Sequence, residues 1–156
     1  MKTQNIITQL IAAFVLLITT ASFSWYEGSA LLDDPWDWKY STPISHLLNG
    51  SVKGPADISN LDFFVYAAKF HPVFPLVALA LLIYILCLSC YLFARKSRER
   101  VRNTFAVLGV LFVFCTALFS VSSSLGGKLA GAIFLLSSLF MLWTVFRSQK
   151  LIRKTF

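Results

Sequence analysis

Four long apolar runs constrain what this chain can fold into more than any other feature of its sequence. They lie at about residues 6–24, 72–94, 104–122 and 128–146, and apart from Lys128 at the start of the fourth they contain no Asp, Glu, Lys, Arg or His. Because a helix of about 20 residues spans the roughly 30 Å hydrocarbon core of a bilayer, each run predicts a transmembrane helix. We therefore predict an all-α membrane protein, a four-helix bundle that forms one membrane domain over residues 1–156.

The first run admits a second interpretation, a secretory signal peptide. Lys2 precedes it, and Ser22-Phe23-Ser24 resembles a cleavage site. The apolar core of a signal peptide is usually only about 7–15 residues long, and this run is longer. Its length favours an uncleaved first transmembrane helix.

The distribution of basic residues predicts the orientation. The N-terminus, the loop at 95–103 and the tail at 147–156 together hold ten Lys and Arg, whereas the other side of the membrane holds four. Of the seven acidic residues, only Glu99 lies with the ten. Since short loops rich in Lys and Arg stay in the cytoplasm, we predict a multi-pass plasma-membrane protein with cytoplasmic N- and C-termini and an outer loop at 25–70.

The same charge distribution bears on partners and on transport. Basic residues that bind nucleic acid usually form a continuous patch or stripe, whereas here they flank the apolar runs in short groups. We expect the chain to contact membrane lipid and not nucleic acid. Because pumps and proton-coupled transporters normally carry ionisable residues inside their spans, the sequence disfavours both. An oligomeric channel or transporter stays an alternative.

Cys87 and Cys90 lie three residues apart near the predicted cytoplasmic end of the second span, a spacing that puts them on one face of a helix. A membrane thiol-redox enzyme could use such a pair. That chemistry normally requires reactive cysteines near the oxidising side and a second pair to relay electrons. The outer loop contains no cysteine, and Cys115 stands alone in the third span. We interpret the pair as small packing residues and keep the redox enzyme as an alternative function.

Three small residues, Ser123, Gly127 and Gly131, stand four apart at the junction of the third and fourth spans. Small residues at this spacing let helix backbones approach closely. They are candidates for helix packing within the bundle. The alternative is a face for a homo-oligomer.

The outer loop at 25–70 is long enough for a small structured cap but too short for an independent domain. Residues 40–53 combine strand-like composition with Asn49-Gly50, a typical hairpin turn, and predict a short β-hairpin. From Asn60, which could cap a helix, apolar residues recur at helical spacing. This pattern predicts a short interfacial helix that leads into the second span.

The candidate interaction surface is an acidic and aromatic segment of this loop, formed by Asp33, Asp34, Trp36, Asp37 and Trp38. In an extended chain Trp36 and Trp38 would project to one side and Asp37 to the other. Two such tryptophans could anchor a partner. They could equally pack the loop against the bilayer while the aspartates stay solvated.

No catalytic, metal or cofactor site is predicted. His46 and His71 do not stand at a recognisable ligand spacing from the aspartates. The chain contains neither a G-x-S-x-G nor an H-E-x-x-H motif. Enzymatic function is therefore not expected.

Two stretches carry a resemblance to a known family: SWYEGSALLDDPWDWKY at residues 24–40 and LDFFVYAAKFHP at residues 61–72. They resemble a family of small membrane proteins of unknown function from Bacillus-type bacteria. The resemblance implies a bacterial plasma membrane and brings no activity with it. The four spans, cytoplasmic termini and long first outer loop are also similar in layout to claudin-like proteins, but the paired cysteines of that loop are missing.

The leading hypothesis from the sequence is a non-enzymatic integral membrane protein that acts through interaction. Its outer loop would contact a protein partner or an envelope component. The two alternatives named above, a thiol-redox enzyme and an oligomeric channel or transporter, belong to different functional classes.

Overall fold

The structure is a computed structural model that describes residues 3–153, with side chains described as far as Arg147. Seven α-helices and two short 3-10 helices follow one another along this part of the chain. In order they are α1 (Thr3–Gly28), a 3-10 helix (Ser29–Asp33), α2 (Trp38–Ser41), α3 (Pro43–Asn49), a second 3-10 helix (Pro55–Asp57), α4 (Asn60–Phe70), α5 (Val73–Ala94), α6 (Arg98–Ser120) and α7 (Leu125–Arg153).

The four long helices α1, α5, α6 and α7 are long and apolar enough to cross a membrane. This finding confirms the four predicted spans, whose boundaries differ from the helix ends mostly because α1, α6 and α7 extend beyond the apolar runs. Large apolar side chains lie exposed along all four helices, for example Phe14, Leu82, Phe114 and Leu136. Such a surface is stable in lipid and not in water, so the chain is a multi-pass membrane protein.

The long helices pack as two antiparallel pairs. Phe23 of α1 stacks on Phe74 of α5 with ring centroids 4.9 Å apart, and the Tyr84 hydroxyl lies 3.2 Å from the Gln9 side-chain oxygen. In the other pair Phe112 of α6 packs on Phe134 of α7 at 5.8 Å. Contacts between the pairs are much sparser than contacts within them. We call the boundary that α5 and the segment 29–71 share with the α6–α7 pair the seam.

The two ends of the bundle differ in chemistry. The segment 29–71 folds over one end and is here called the cap, while the opposite end carries the loop between α5 and α6 with its Lys and Arg residues. We call these the cap end and the basic end.

The predicted β-hairpin is wrong. Among the described residues no strand occurs, and residues 40–53 contain the end of α2 and the whole of α3. Pro43 is the first residue of α3, where its fixed φ and missing N–H suit a helix start. Gly50 follows the helix with a φ of 74° and donates its N–H to the His46 carbonyl at 3.0 Å. Asn49-Gly50 therefore ends a helix instead of turning a hairpin.

The helix predicted to lead into the second span is present as α4, although Ser59 and not Asn60 caps it. The Ser59 hydroxyl accepts the Leu61 N–H at 3.3 Å. One face of α4 supplies Phe63 and Tyr66 to the small core of the cap, which also contains Leu31 and Ile58. This core fixes α4 across the end of the bundle.

Two glycines lie where the backbone of another helix approaches closely. A Cβ at Gly28 would overlap the carbonyl oxygen of Phe63, and a Cβ at Gly126 would overlap that of Ala68. Both contacts therefore require glycine, and they hold α4 against the end of α1 and the start of α7. Of the predicted packing residues, Gly131 lies in α7 where a Cβ would be 3.3 Å from the Cβ of Phe119.

Candidate functional site

The cap is fastened by one buried carboxylate. Asp62 in the first turn of α4 is fully buried and accepts the backbone N–H groups of Ile44 at 3.0 Å and Ser45 at 2.8 Å. The Ser45 hydroxyl also donates to it, and the same hydroxyl accepts the Ser59 N–H at 2.7 Å. Asp62 thus caps the N-terminus of α3 from a different helix, where a negative charge is favoured by the helix dipole.

A second polar contact ties α4 to the segment before α2. The Lys69 ammonium lies 3.3 Å from the Asp37 carboxylate and donates to the Ser41 hydroxyl at 3.0 Å. The Asp37 side chain is only 15% exposed, so this ion pair is better shielded from water than a surface pair. Asp37, predicted as part of an interaction surface, holds the cap together.

The two tryptophans of the predicted surface have different surroundings. The Trp38 indole packs against the cap core and donates its Nε1–H to the Leu31 carbonyl at 2.8 Å. Trp36 lies in a turn and is 81% exposed. The chain is not extended here, because residues 35–37 form a turn and α2 begins at Trp38. The expectation that both rings project to one side of an extended chain is therefore wrong.

The aspartates of that segment also differ in their surroundings. Asp33 ends the first 3-10 helix and is exposed, and Asp34 follows it half-buried. Burial raises the pKa of Tyr66, and the negative charges of Asp34 and Asp37 raise it further. These carboxylates therefore lie on the side of the cap that contains the Tyr66 ring.

A cavity of about 530 Å³ lies beneath the cap at the seam. On the side of the cap the cavity is lined by α4 together with Tyr40 and Lys69, and its lining on the opposite side is apolar. The α6–α7 turn closes one side with three serines and two glycines, namely Ser122, Ser123, Ser124, Gly126 and Gly127. The cavity is thus mostly apolar, and its polar side chains are those of Tyr40, Lys69 and the three serines.

The serines at this turn are organised by the start of α7. The Ser124 hydroxyl accepts the Gly127 N–H at 3.1 Å and lies 3.2 Å from the Ser122 hydroxyl. A Cβ at Gly127 would overlap the Ser122 hydroxyl, so glycine leaves room for this pair. Ser123 is exposed and lines the cavity. The structure therefore brings Ser123 and Gly127 to the cavity, while the closest interhelical contact belongs to Gly126.

Cys87 and Cys90 lie at two different places along the seam. All three cysteines are free thiols. Cys87 lines a groove of about 330 Å³ between α5 and α7, whereas Cys90 lines another groove between α5 and α6. Redox use of the pair stays an untested prediction.

No cluster of three or more His, Cys, Asp or Glu side chains that could hold a metal ion occurs in the described part of the chain. His46 instead places Nδ1 3.4 Å from the Gly50 carbonyl oxygen, at the end of its own helix.

Sequence reasoning missed three residues that organise this site: Asp62, Lys69 and Gly126. A signal for Asp62 exists, because Ser59-Asn60-Leu61-Asp62 has the spacing of a capping box. The structure uses the carboxylate differently, for α3 instead of α4. The partners of Lys69 and Gly126 lie far away along the chain, so no local pattern identifies them.

The fold and site define a four-span membrane protein with a small helical cap. The chain belongs to the family described as Domain of unknown function (DUF4306), whose profile matches residues 6–94. It is similar to the uncharacterized protein YjdJ of Bacillus subtilis (strain 168), with 39% identity over 88 residues. That match covers 55% of this chain and 81% of the relative. No solved structure matches the chain.

The family match begins within α1 and ends at Ala94, the last residue of α5. It includes the whole cap and leaves out α6 and α7. Asp62, Lys69 and both tryptophans of the cap therefore belong to the family segment, whereas the serine-rich turn and Gly126 lie outside it.

Proposed function

We propose that this chain is a non-enzymatic membrane protein that binds a protein or envelope component through its cap. The observation that carries the proposal is the exposure of large apolar side chains on a cap that is otherwise fixed. Trp36 is 81% exposed, Tyr40 61%, Leu47 85% and Leu48 68%. Concentrated apolar exposure outside the membrane spans is typical of an interaction surface.

The polar contacts inside the cap support a binding role because they hold the exposed side chains in place before any partner arrives. Asp62 fixes α3, which carries Leu47 and Leu48, and the Lys69–Asp37 pair fixes the turn beside Trp36. A surface that is already ordered loses less conformational entropy on binding. Trp36 is the natural anchor, since tryptophan is enriched among residues that dominate binding energy.

The charge of the cap favours a partner with basic residues. The cap contains five aspartates and three lysines. Asp33 is exposed three residues before Trp36 in the chain, whereas Asp37 and Asp62 make contacts inside the cap. An apolar pocket rimmed by Lys or Arg would suit an exposed indole beside a carboxylate, because complementary charges select the partner and speed its association.

We also propose that the cap faces the outside of the cell and the basic end faces the cytoplasm. The support is the charge asymmetry, with ten Lys and Arg on the basic side against four on the cap side. A cap outside the cell would meet envelope components and the outer segments of other membrane proteins.

The test uses Trp36→Ala and Trp38→Ala in the full-length chain, expressed at native level and crosslinked in its own membrane. Trp36→Ala should leave the melting temperature in detergent unchanged and abolish the crosslinked partner. Trp38→Ala should lower the melting temperature, because it removes a ring from the cap core and the bond to Leu31. Trp143→Ala, another exposed tryptophan in α7, is the matched control and should change neither.

Retention of the full crosslinked complex by Trp36→Ala would contradict the proposal. A loss of thermal stability without a loss of partner would show that Trp36 anchors the cap to lipid or to the bundle. If the Trp36-dependent partner is a second copy of the chain, the interaction is a homo-oligomer formed through the cap.

A further inference from the structure

A groove of about 360 Å³ opens at the basic end of the seam, between the last turn of α5 and the first turns of α6. Its α5 wall is apolar, and its α6 wall is polar and basic. The lining residues are Cys90, Phe93, Ala94, Arg100, Asn103 and Thr104. Phe93 is 80% exposed at the rim, so the groove is open to whatever surrounds the bundle.

Both walls of the groove run inward from the membrane surface. Ala94 is the last residue of α5, and Cys90 lies about 6 Å deeper at 1.5 Å per residue. Arg100 is in the first turn of α6, with Thr104 about one turn deeper. The groove therefore has Arg100 beside the apolar Phe93 and Ala94 at its mouth, and Cys90, Asn103 and Thr104 lie deeper in the membrane.

The charge around the mouth is strongly positive, and only some of the basic side chains contact other groups of the protein. Residues 95–102 contain five Lys and Arg and one acidic residue, Glu99. Arg95 donates to the Thr3 hydroxyl at 2.9 Å, and Arg102 lies 3.7 Å from Glu99. The exposed Arg100 makes no hydrogen bond or ion pair with any side chain between residues 3 and 147.

We propose that this groove binds an anionic phospholipid from the leaflet at the basic end. The phosphate lies at Arg100, with Asn103 and Thr104 able to donate to its oxygens, and an acyl chain lies along Phe93 and Ala94. Charge complementarity selects this occupant: a positive mouth favours a phosphate, and an apolar wall within the bilayer favours a lipid tail over a soluble anion. The site is independent of the cap and of the orientation of the protein.

A diffuse attraction between the basic loop and anionic lipid is the competing explanation for any lipid preference. Arg98 provides the matched control, because it is an exposed arginine in the same helical turn and does not line the groove. If the attraction is diffuse, replacing either arginine lowers the affinity for anionic lipid by the same amount. If the lipid binds in the groove, replacing Arg100 lowers this affinity more than replacing Arg98.

The experiment is native mass spectrometry of the full-length protein, released from detergent after titration with dioleoylphosphatidylglycerol or dioleoylphosphatidylcholine. The wild type should retain one phosphatidylglycerol with at least fivefold higher affinity than phosphatidylcholine. Arg100→Gln should weaken phosphatidylglycerol retention about fivefold, as expected for one lost contact between a basic residue and an anionic lipid. Arg98→Gln should change it less than twofold, and Arg100→Lys should keep most of it.

A second variant tests the groove itself. Thr104→Leu keeps every charge, removes one of the side chains that would donate to the phosphate and fills space in the groove, so it should also reduce phosphatidylglycerol retention. Equal effects of Arg98→Gln and Arg100→Gln, or full retention by Thr104→Leu, would overturn the site in favour of diffuse attraction. Equal retention of the two lipids by the wild type would overturn the proposal outright.

Discussion

Replacing Asp62 with alanine should open the cap while the four long helices stay inserted. The carboxylate is fully buried and accepts two backbone N–H groups and one hydroxyl from the start of α3. Alanine removes all three acceptors at once. The N–H groups of Ile44 and Ser45 then remain in a partly buried position without a partner.

The size of the effect follows from these contacts. A lost helix cap costs about 1 kcal/mol, and a hydrogen bond to a charged group contributes about 1.5–3 kcal/mol. Because the three contacts share one carboxylate, their contributions do not add fully, and we expect a total of about 3 kcal/mol. At 1.4 kcal/mol per factor of ten, the opened cap becomes roughly 100-fold more populated. Asp62→Asn keeps the shape and one acceptor, so we expect about half of this loss.

Trypsin cleavage at Lys53 measures cap opening, because this exposed residue lies between α3 and the second 3-10 helix, in a segment where its N–H donates to the Asp57 carboxylate. Asp62→Ala should be cut far faster than the wild type in detergent. Asp33→Ala is the control, since it removes an exposed charge from the same cap and should change the free energy of opening by less than about 0.5 kcal/mol. Equal cleavage of Asp62→Ala and wild type would refute the argument that this carboxylate fastens the cap.

Two further predictions concern packing and orientation. Gly126→Ala should lower the melting temperature in detergent more than Gly131→Ala. The Cβ at Gly126 would overlap the rigid carbonyl of Ala68, whereas the Cβ at Gly131 would make only a tight contact. Equal effects would contradict the close approach of α4 and α7. In a cysteine-free background, an impermeant thiol reagent applied to intact cells should label Ser51→Cys and not Lys96→Cys, and the reverse pattern would invert the proposed orientation.

The membrane spans could be predicted from the sequence because their signal is local and strong. A run of about 20 apolar residues has few stable alternatives to a transmembrane helix, since lipid offers no partner for free backbone groups. The ends of the helices could be predicted less well than the spans. α6 begins at Arg98, six residues before the apolar run, because a helix continues into the headgroup region where its charged side chains are solvated.

Apart from α4, the structure of the cap could not be predicted, because it depends on contacts between distant residues. Asn49-Gly50 is compatible with a hairpin turn and with a helix end, and the local sequence does not decide between them. The contact between Asp62 and the start of α3, 17 residues away in the chain, favours the helix end. The same dependence separates Trp36 from Trp38: a turn followed by a helix exposes the first ring and buries part of the second.

The features of the molecule fall into two groups, according to whether they use residues on the α6–α7 side of the seam. The Asp62 and Lys69 contacts lie within the family segment 6–94, so neither uses a residue of α6 or α7. The cavity beneath the cap and the basic groove each need residues from α6 or from the turn before α7. The relative from Bacillus subtilis has only about a fifth of its length outside the match, which is too short for helices of 23 and 29 residues. We therefore expect binding through the cap to be shared with that relative, and lipid binding at the groove to depend on the added α6–α7 pair.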